Sequence, residues 1–478
     1  MVERNNTLGR REFLATSALV ASCFSGFRKA SAHGLFSSSA ASRGYADLAR
    51  DPKGLIDLPE GFTYSILSAW GEEMDDGLLV PGLHDGMAAF PDQFGRTVLV
   101  RNHEVGIDAA NAYGPFGENL ERLSLVDPTL LFDVGTQDKP CLGGTTTIVY
   151  DTSEQKVVRQ FMSMAGTGRN CAGGPTPWGT WLTCEEWVQK AELGCAKDHG
   201  WVFEVPASGR RNLAPARPIK DMGRFYHEAV AVDPRSGCVY LTEDRNDGVL
   251  YRFIPNAPGR MSEGGRLQAL KIRGQEGMDL RNWIDPAIDT PTVTPDTPLE
   301  VEWLDMDNVE SPDDDLRYRA VAKGAAILAR GEGMWAADDS IFFACTSGGA
   351  ARIGQIWRYR PSPVEATEAE KAQPGKLELF VEADEGGVIE NCDNVTITPN
   401  GDMFVCEDGP AGNGLVRITP DGKAERFAMH RGSDSELAGA CSSPDGSVLF
   451  VNIQKLGLTL AITGPWSELS RTRPADEG

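Results

Sequence analysis

Glu228-Ala-Val-Ala-Val-Asp-Pro234, followed by Val239-Tyr-Leu-Thr-Glu-Asp244, is the stretch on which the fold turns. A short apolar strand opens on an acid. A turn with Asp, Pro and Gly follows. A second strand, rich in β-branched and aromatic residues, then ends in two more acids. Such punctuation predicts a β-hairpin. The pattern recurs along the chain. It appears at Gly86-Met-Ala-Ala-Phe90 with Thr97–Glu104, at Cys171–Glu186, and at Glu332-Gly-Met-Trp335 with Ile341–Thr346. It appears again at Asp393–Asp408 and at Leu437–Asn452. Third strands follow several copies, as in Gly248-Val-Leu-Tyr-Arg-Phe253 and Gln355-Ile-Trp-Arg-Tyr359.

A single hairpin cannot bury its own faces, so the copies must stack on one another. Six copies predict an all-β, six-bladed β-propeller, an architecture that leaves only short sheet edges. The spacing is uneven. Insertions at about 105–140 and 255–325 are expected to run between blades and roof one face.

In a propeller the first strand of each blade lines the central channel. At its start the copies carry Asp85, Cys171, Glu228, Glu332, Asp393 and Glu436. A second acidic set closes the next strand: Glu104, Glu185, Glu186, Glu243, Asp244, Glu407 and Asp408. The start of one hairpin strand lies beside the end of its partner, so both sets are expected at one mouth. Any one such acid is ordinarily a solvated turn residue. In common register they repel, and only cations can balance them, since Arg101, Arg169, Arg224 and Arg330 are the few bases nearby. Hard oxygen ligands favour calcium, and a thiolate among them favours a transition metal such as iron.

Composition narrows the functions. The chain has 478 residues, and 69 acidic against 46 basic side chains give a net charge of −23. That surface argues against nucleic acid and against an anionic membrane. No later stretch approaches the ~18 apolar residues of a membrane span. No P-loop, no G-x-S-x-G elbow and no H-E-x-x-H occurs, although His103-Glu104 and His227-Glu228 begin like the last.

The N-terminus reads as an address. Gly9-Arg10-Arg11-Glu12-Phe13-Leu14 is a twin-arginine signal, an apolar run continues to Phe27, and Ala30-Ser31-Ala32 offers a cleavage site. The expected organisation is signal peptide 1–32, linker 33–50, catalytic propeller 51–466 and tail 467–478, with export to the periplasm or beyond by the twin-arginine machinery. Removing Cys23 with the signal leaves nine cysteines, an odd number, so at least one thiol is unpaired. There is no C-x-x-C pair.

Asn170-Cys-Ala-Gly-Gly-x-Thr-Pro-Trp-Gly-Thr-x-Leu-Thr-Cys-Glu-Glu186, Gly223-Arg-Phe-x-His-Glu228 and Phe450-Val-Asn-Ile-Gln454 resemble the PhoX-type alkaline phosphatases. The resemblance spans about residues 50–460. It implies a six-bladed propeller that hydrolyses small phosphomonoesters with an iron–calcium cluster (Fe3+ and Ca2+) in its mouth. By that resemblance Cys171, Glu228 and Glu332 would hold iron, and Glu185, Glu186, Asp393 and Glu436 calcium. Arg330, Glu332 and Cys171 would be the catalytic residues, with Arg330 gripping the phosphate. The chain departs in being shorter than the characterised members and in its Arg330-Gly-Glu-Gly-Met segment. Two other readings remain open here: a calcium-dependent lactonase or phosphotriesterase, and a calcium-stiffened binding propeller. A dianionic monoester needs the Arg330 guanidinium, and a neutral lactone does not.

Overall fold

The computed structural model describes residues 48–466 apart from 137–138, 285–292, 296, 338, 411 and 420–422. The signal segment, most of the linker and the 467–478 tail lie outside the described residues. Strands dominate. Two come first, β1 (Ile56–Asp57) and β2 (Thr63–Ala69). Then β3 (His84–Pro91), β4 (Thr97–His103), β5 (Gly143–Asp151) and β6 (Lys156–Thr167) form one sheet, and β7 (Asn170–Pro175), β8 (Thr180–Glu185) and β9 (Val202–Pro206) a second. Next are β10 (His227–Val232), β11 (Val239–Glu243), β12 (Tyr251–Pro255), β13 (Gly265–Ile272) and β14 (Leu299–Asp305). After the short helix α1 (Leu316–Ala322) come β15 (Gly331–Ala337), β16 (Ser340–Cys345), β17 (Gln355–Arg360) and β18 (Lys376–Glu382). The chain ends in β19 (Cys392–Ile397), β20 (Met403–Glu407), β21 (Asn413–Ile418), β22 (Ala424–His430), β23 (Leu437–Ser442), β24 (Val448–Ile453) and β25 (Leu458–Thr463).

These strands make five sheets of antiparallel pairs in a propeller-like arrangement. Strands β10 to β18 share one nine-stranded sheet. Its two halves meet only where β14 pairs with β18, through Leu299↔Leu377 and Glu300↔Lys376. The two N-terminal strands complete the last two sheets, β1 against β22 and β2 against β25. The ends of the chain are thereby stitched together, a closure with no local signal in the sequence. The 255–325 insertion is not simply a roof. It supplies the outer strands β13 and β14 as well as α1, because Leu267, Leu270, Ile272 and Val301 bury against the sheets.

Most strands are covered on both faces, so they read as apolar runs and not as alternations. All of β11 (Val-Tyr-Leu-Thr-Glu) and all of β20 (Met-Phe-Val-Cys-Glu) is buried. The core lies between neighbouring sheets. Trp181, Trp201 and Phe203 meet Phe90, Val98 and Val100 in one such layer. Each fully buried aromatic of this kind stabilises the fold by about 1.5–3 kcal/mol.

Toward the axis the side chains shrink. A Cβ on Gly86 of β3 would lie 2.6 Å from Ala172 Cα of β7, and one on Gly333 of β15 would lie 2.5 Å from Asn394 Cα of β19. Glycine is what lets these inner strands approach so closely. Between β19 and β23 the Gly439 N–H donates to Asn394 Oδ1 at 2.5 Å. Between β11 and β15 the Thr242 hydroxyl donates to the Glu332 carbonyl at 2.7 Å.

Candidate metal centre

A β-bulge at one register position builds the site. In β3 the pairing His84↔His103 is followed by Met87↔Arg101, so two residues of the inner strand oppose one of its partner. The same slip follows Asn170, His227, Gly331 and Cys392. The first bulged residue is in turn Asp85, Cys171, Glu228, Glu332 and Asp393. A bulge re-aims its side chain, and here it does so at the same height on five inner strands. The sixth strand departs from expectation. In β23 the slip falls between Ala438 and Cys441, so Gly439, not Glu436, occupies the shared slot. Gly439 has φ 61°, and a Cβ there would sit 2.4 Å from the Asp85 carbonyl oxygen. No acid fits in that slot. Glu436 enters instead from the loop just before β23.

Ligand atoms of Cys171, Glu186 and Glu228 lie within 4.8 Å of one another, and so do those of Glu228, Glu332 and Asp393. Glu228 therefore belongs to both groups. Burial and the neighbouring acids push the carboxyls of Asp85, Glu186, Glu228, Glu332 and Glu436 well above the usual range. Asp393 is raised to about 6 by burial and by Asp408, and is held lower than the others by hydrogen bonds from Glu436 and Glu332. Without cations these side chains must share protons. With cations they can all ionise, which makes this donor set chemically suited to metal ions. Cys171 is buried, and its Sγ lies 3.3 Å from the His227 carbonyl and 3.5 Å from that of Glu228. Burial and Glu228 raise its thiol pKa strongly, so a thiolate here also requires a cation.

Glu185 does not join this group. It is the last residue of β8, immediately before Glu186, and its side chain faces the opposite way, into the protein. Its carboxylate accepts from the backbone N–H groups of Gly168 and Gly200, both at 2.9 Å, from that of Trp201 at 3.2 Å, and from His199 Nδ1 at 2.6 Å. Its counterparts Glu243 and Glu407 are equally occupied, the first by Tyr251 and Arg317, the second by Glu390 N–H and Arg426. The outer acids of the mouth are thus Glu104, Glu186, Asp244 and Asp408, each one residue further on.

Two arginines stand at the rim. Arg330 donates from Nε and Nη2 to Asp244 at 2.7 and 3.0 Å, and from Nη2 to Glu332 at 2.8 Å. Its Nη1 has no hydrogen-bond partner among the described residues. Arg169 holds the equivalent position two blades earlier, paired with Glu104 at 2.6 Å and Glu186 at 3.5 Å. Both precede a bulged strand with φ near 50° (48° and 51°). Arg101 and Arg224, also near in sequence, are buried in protein hydrogen bonds to Thr146 and Thr459 and to backbone carbonyls. Gln454, the last residue of the Phe450–Gln454 motif, bridges Asp85 and Glu104 at 3.1 and 3.0 Å.

The family profile described as alkaline phosphatase PhoX matches residues 43–128 and 141–457. The chain belongs to the PhoX alkaline phosphatase family. It is accordingly an alkaline-phosphatase-type enzyme. The vanadate complex of Pseudomonas fluorescens PhoX, vanadate being a transition-state analogue, shares its fold with TM-score 0.63 at 18% identity, covering 86% of this chain and 96% of that one. Weaker likenesses include a Xanthomonas campestris gluconolactonase (TM-score 0.38, 10% identity, 85% and 96% covered). A Staphylococcus aureus virginiamycin B lyase is similar at TM-score 0.39 and 10% identity, with 84% and 99% covered. No curated protein matches the sequence. Within the PhoX family match fall all the bulge residues, Glu186, Glu436 and both rim arginines. No helix among the described residues is long and apolar enough to cross a membrane.

Proposed function

We propose that this PhoX-family chain is an exported, metal-dependent phosphomonoesterase, acting at the mouth of a six-bladed propeller. Counting the nine-stranded sheet as two blades, joined at the short β14–β18 seam, gives that number. The observation that carries the reading is the bulge-aligned set Asp85, Cys171, Glu228, Glu332 and Asp393, closed by Glu186 and Glu436. Cys171, Glu228 and Glu332 would hold iron. Glu186, Asp393, Glu436 and Asp85 would hold calcium. Glu185 leaves the ligand set, because its carboxylate lies away from the mouth, against His199 and the Gly168, Gly200 and Trp201 N–H groups. When bound, the cations supply positive charge for the phosphoryl oxygens and for the nucleophile that displaces the alcohol.

The chain's own residues do the rest. Arg330 is braced by Asp244 and Glu332, which leaves Nη1 for a phosphate oxygen. A guanidinium held on two sides suits an anion whose geometry must be fixed. Arg169 faces the same mouth from another blade and is a second candidate for the dianion. That pair favours a phosphomonoester over the neutral lactone of the alternative reading. The vanadate bound by the Pseudomonas fluorescens protein supports the same choice. The twin-arginine segment supports export, and swapping Arg10 and Arg11 for lysine should keep the enzyme in the cytoplasm.

The direct experiment is turnover of p-nitrophenyl phosphate by protein loaded with calcium and iron, with and without vanadate. Turnover that is lost on chelation and inhibited by vanadate supports the reading. Lactone hydrolysis without phosphatase activity overturns it.

A further inference from the structure

Away from the mouth, four side chains of metal-binding type converge where no acid repeat or cysteine motif pointed. They are Asp133, Cys141, Cys195 and His199, and their ligand atoms all lie within 4.8 Å of one another. Each is 1% exposed or less. Asp133 and Cys141 lie on the long segment joining β4 to β5. Cys195 and His199 lie on the segment joining β8 to β9. Neither segment contains a strand among the described residues.

From this convergence we propose a second, structural metal site, a tetrahedral zinc centre formed by Cys141 Sγ, Cys195 Sγ, His199 Nε2 and Asp133 Oδ2. The geometry fits. The Nε2···Oδ2 separation is 3.1 Å and Sγ(Cys141)···Nε2 is 3.7 Å. Zinc bond lengths in a tetrahedron give edges of about 3.3 and 3.6 Å. The ring is also oriented as a ligand. Its Nδ1 donates to Glu185 at 2.6 Å, and Glu185 is itself fixed by three backbone N–H groups. A carboxylate behind a histidine sets the tautomer and turns the other nitrogen toward the metal. Nε2 then faces a carboxylate and two sulfurs. Four protein ligands leave no open position, which marks the site as structural and not catalytic. Glu185 is thereby a positioning residue. It ties this clamp to Glu186, the next residue, which faces the mouth.

Binding is balanced by proton release. Each thiol gives up its proton to solvent as its Sγ takes the metal, and Nε2 binds as a neutral imidazole nitrogen.

The experiment uses full-length protein in a Cys171→Ser background, so that thiolate-bound metal at the mouth does not confuse the count. The expectation is about one zinc per chain, lost in Cys195→Ser and in Cys141→Ser. Cobalt in its place should give the charge-transfer band of cobalt–thiolate bonds, absent in both variants. Should the variants fail to fold, the wild type answers alone. Titration with a mercurial should release zinc in step with modification of Cys141 and Cys195, mapped by mass spectrometry. A mapped Cys141–Cys195 disulfide overturns the proposal. So does zinc-free protein whose His199 is simply an imidazolium between Glu185 and Asp133. The outcome is independent of phosphatase activity.

Discussion

Chelation should make this protein sensitive to alkali in a way the loaded protein is not. Cations are removed from the mouth with EGTA, and unfolding is followed between pH 4 and pH 8. Asp393 sets the scale of the effect. Its carboxyl is raised from the ordinary 3.8 to about 6, chiefly by burial. A carboxyl whose folded pKa is raised favours the fold while protonated. That advantage is complete below the unfolded pKa of about 4 and is lost as pH climbs through the folded value. By pH 8 the loss from this one group is about 3 kcal/mol. Glu228, Glu332 and Asp85, raised well above the usual range by burial and by one another, add to it. Against a total stability of about 5–15 kcal/mol this is a large fraction. Restored calcium contributes about 2.7 kcal/mol at a hundredfold excess over its dissociation constant. The assay is urea or thermal unfolding in EGTA and in calcium at pH 5 and pH 8. The chelated protein should be markedly weaker at pH 8 than at pH 5, and calcium should flatten the difference. Chelated protein that is as stable as loaded protein at pH 8 would show that the acids of the mouth do not depend on cations.

Three further substitutions follow from the geometry. Arg330→Ala should lower monoester turnover about 10²–10³-fold with metal content little changed, and Arg330→Lys should rescue only weakly because it cannot fork; wild-type kinetics in the alanine variant would favour the lactone reading. Gly439→Ala should destabilise by about 2 kcal/mol or more, since its φ is left-handed and the new Cβ meets the Asp85 carbonyl, as measured by urea unfolding. Glu185→Gln should weaken the fold by about 1.5–3 kcal/mol through the His199 contact yet leave mouth calcium in place, whereas loss of calcium would make Glu185 a ligand after all.

Much of this was legible in the sequence because the repeat carries its register with it. Acid-strand-turn-strand-acid units announced both the hairpins and the shared position of Asp85, Cys171, Glu228, Glu332 and Asp393. Legibility ended where long-range geometry decided. Nothing local marks Ile56–Asp57 and Thr63–Ala69 as partners of β22 and β25. In β23 the bulge falls three residues beyond Glu436, which put Gly439 where spacing suggested Glu436. Adjacent acids cannot be told apart without strand direction, so Glu185 and Glu186 read alike although one faces the core. The Asp133–Cys141–Cys195–His199 cluster joins two irregular segments, and no motif spacing connects them.

The proposed mixed-metal centre stands or falls on Cys171, because a thiol occupies a slot that four other inner strands fill with a carboxylate. The measurement is metal content, colour and p-nitrophenyl phosphate turnover of Cys171→Ser, with Cys184→Ser as the matched control buried in the neighbouring core. Cys171→Ser should stay folded and retain calcium but lose iron, its colour and nearly all turnover, while Cys184→Ser keeps its metal. Full iron occupancy and turnover in Cys171→Ser would contradict the mixed-metal centre.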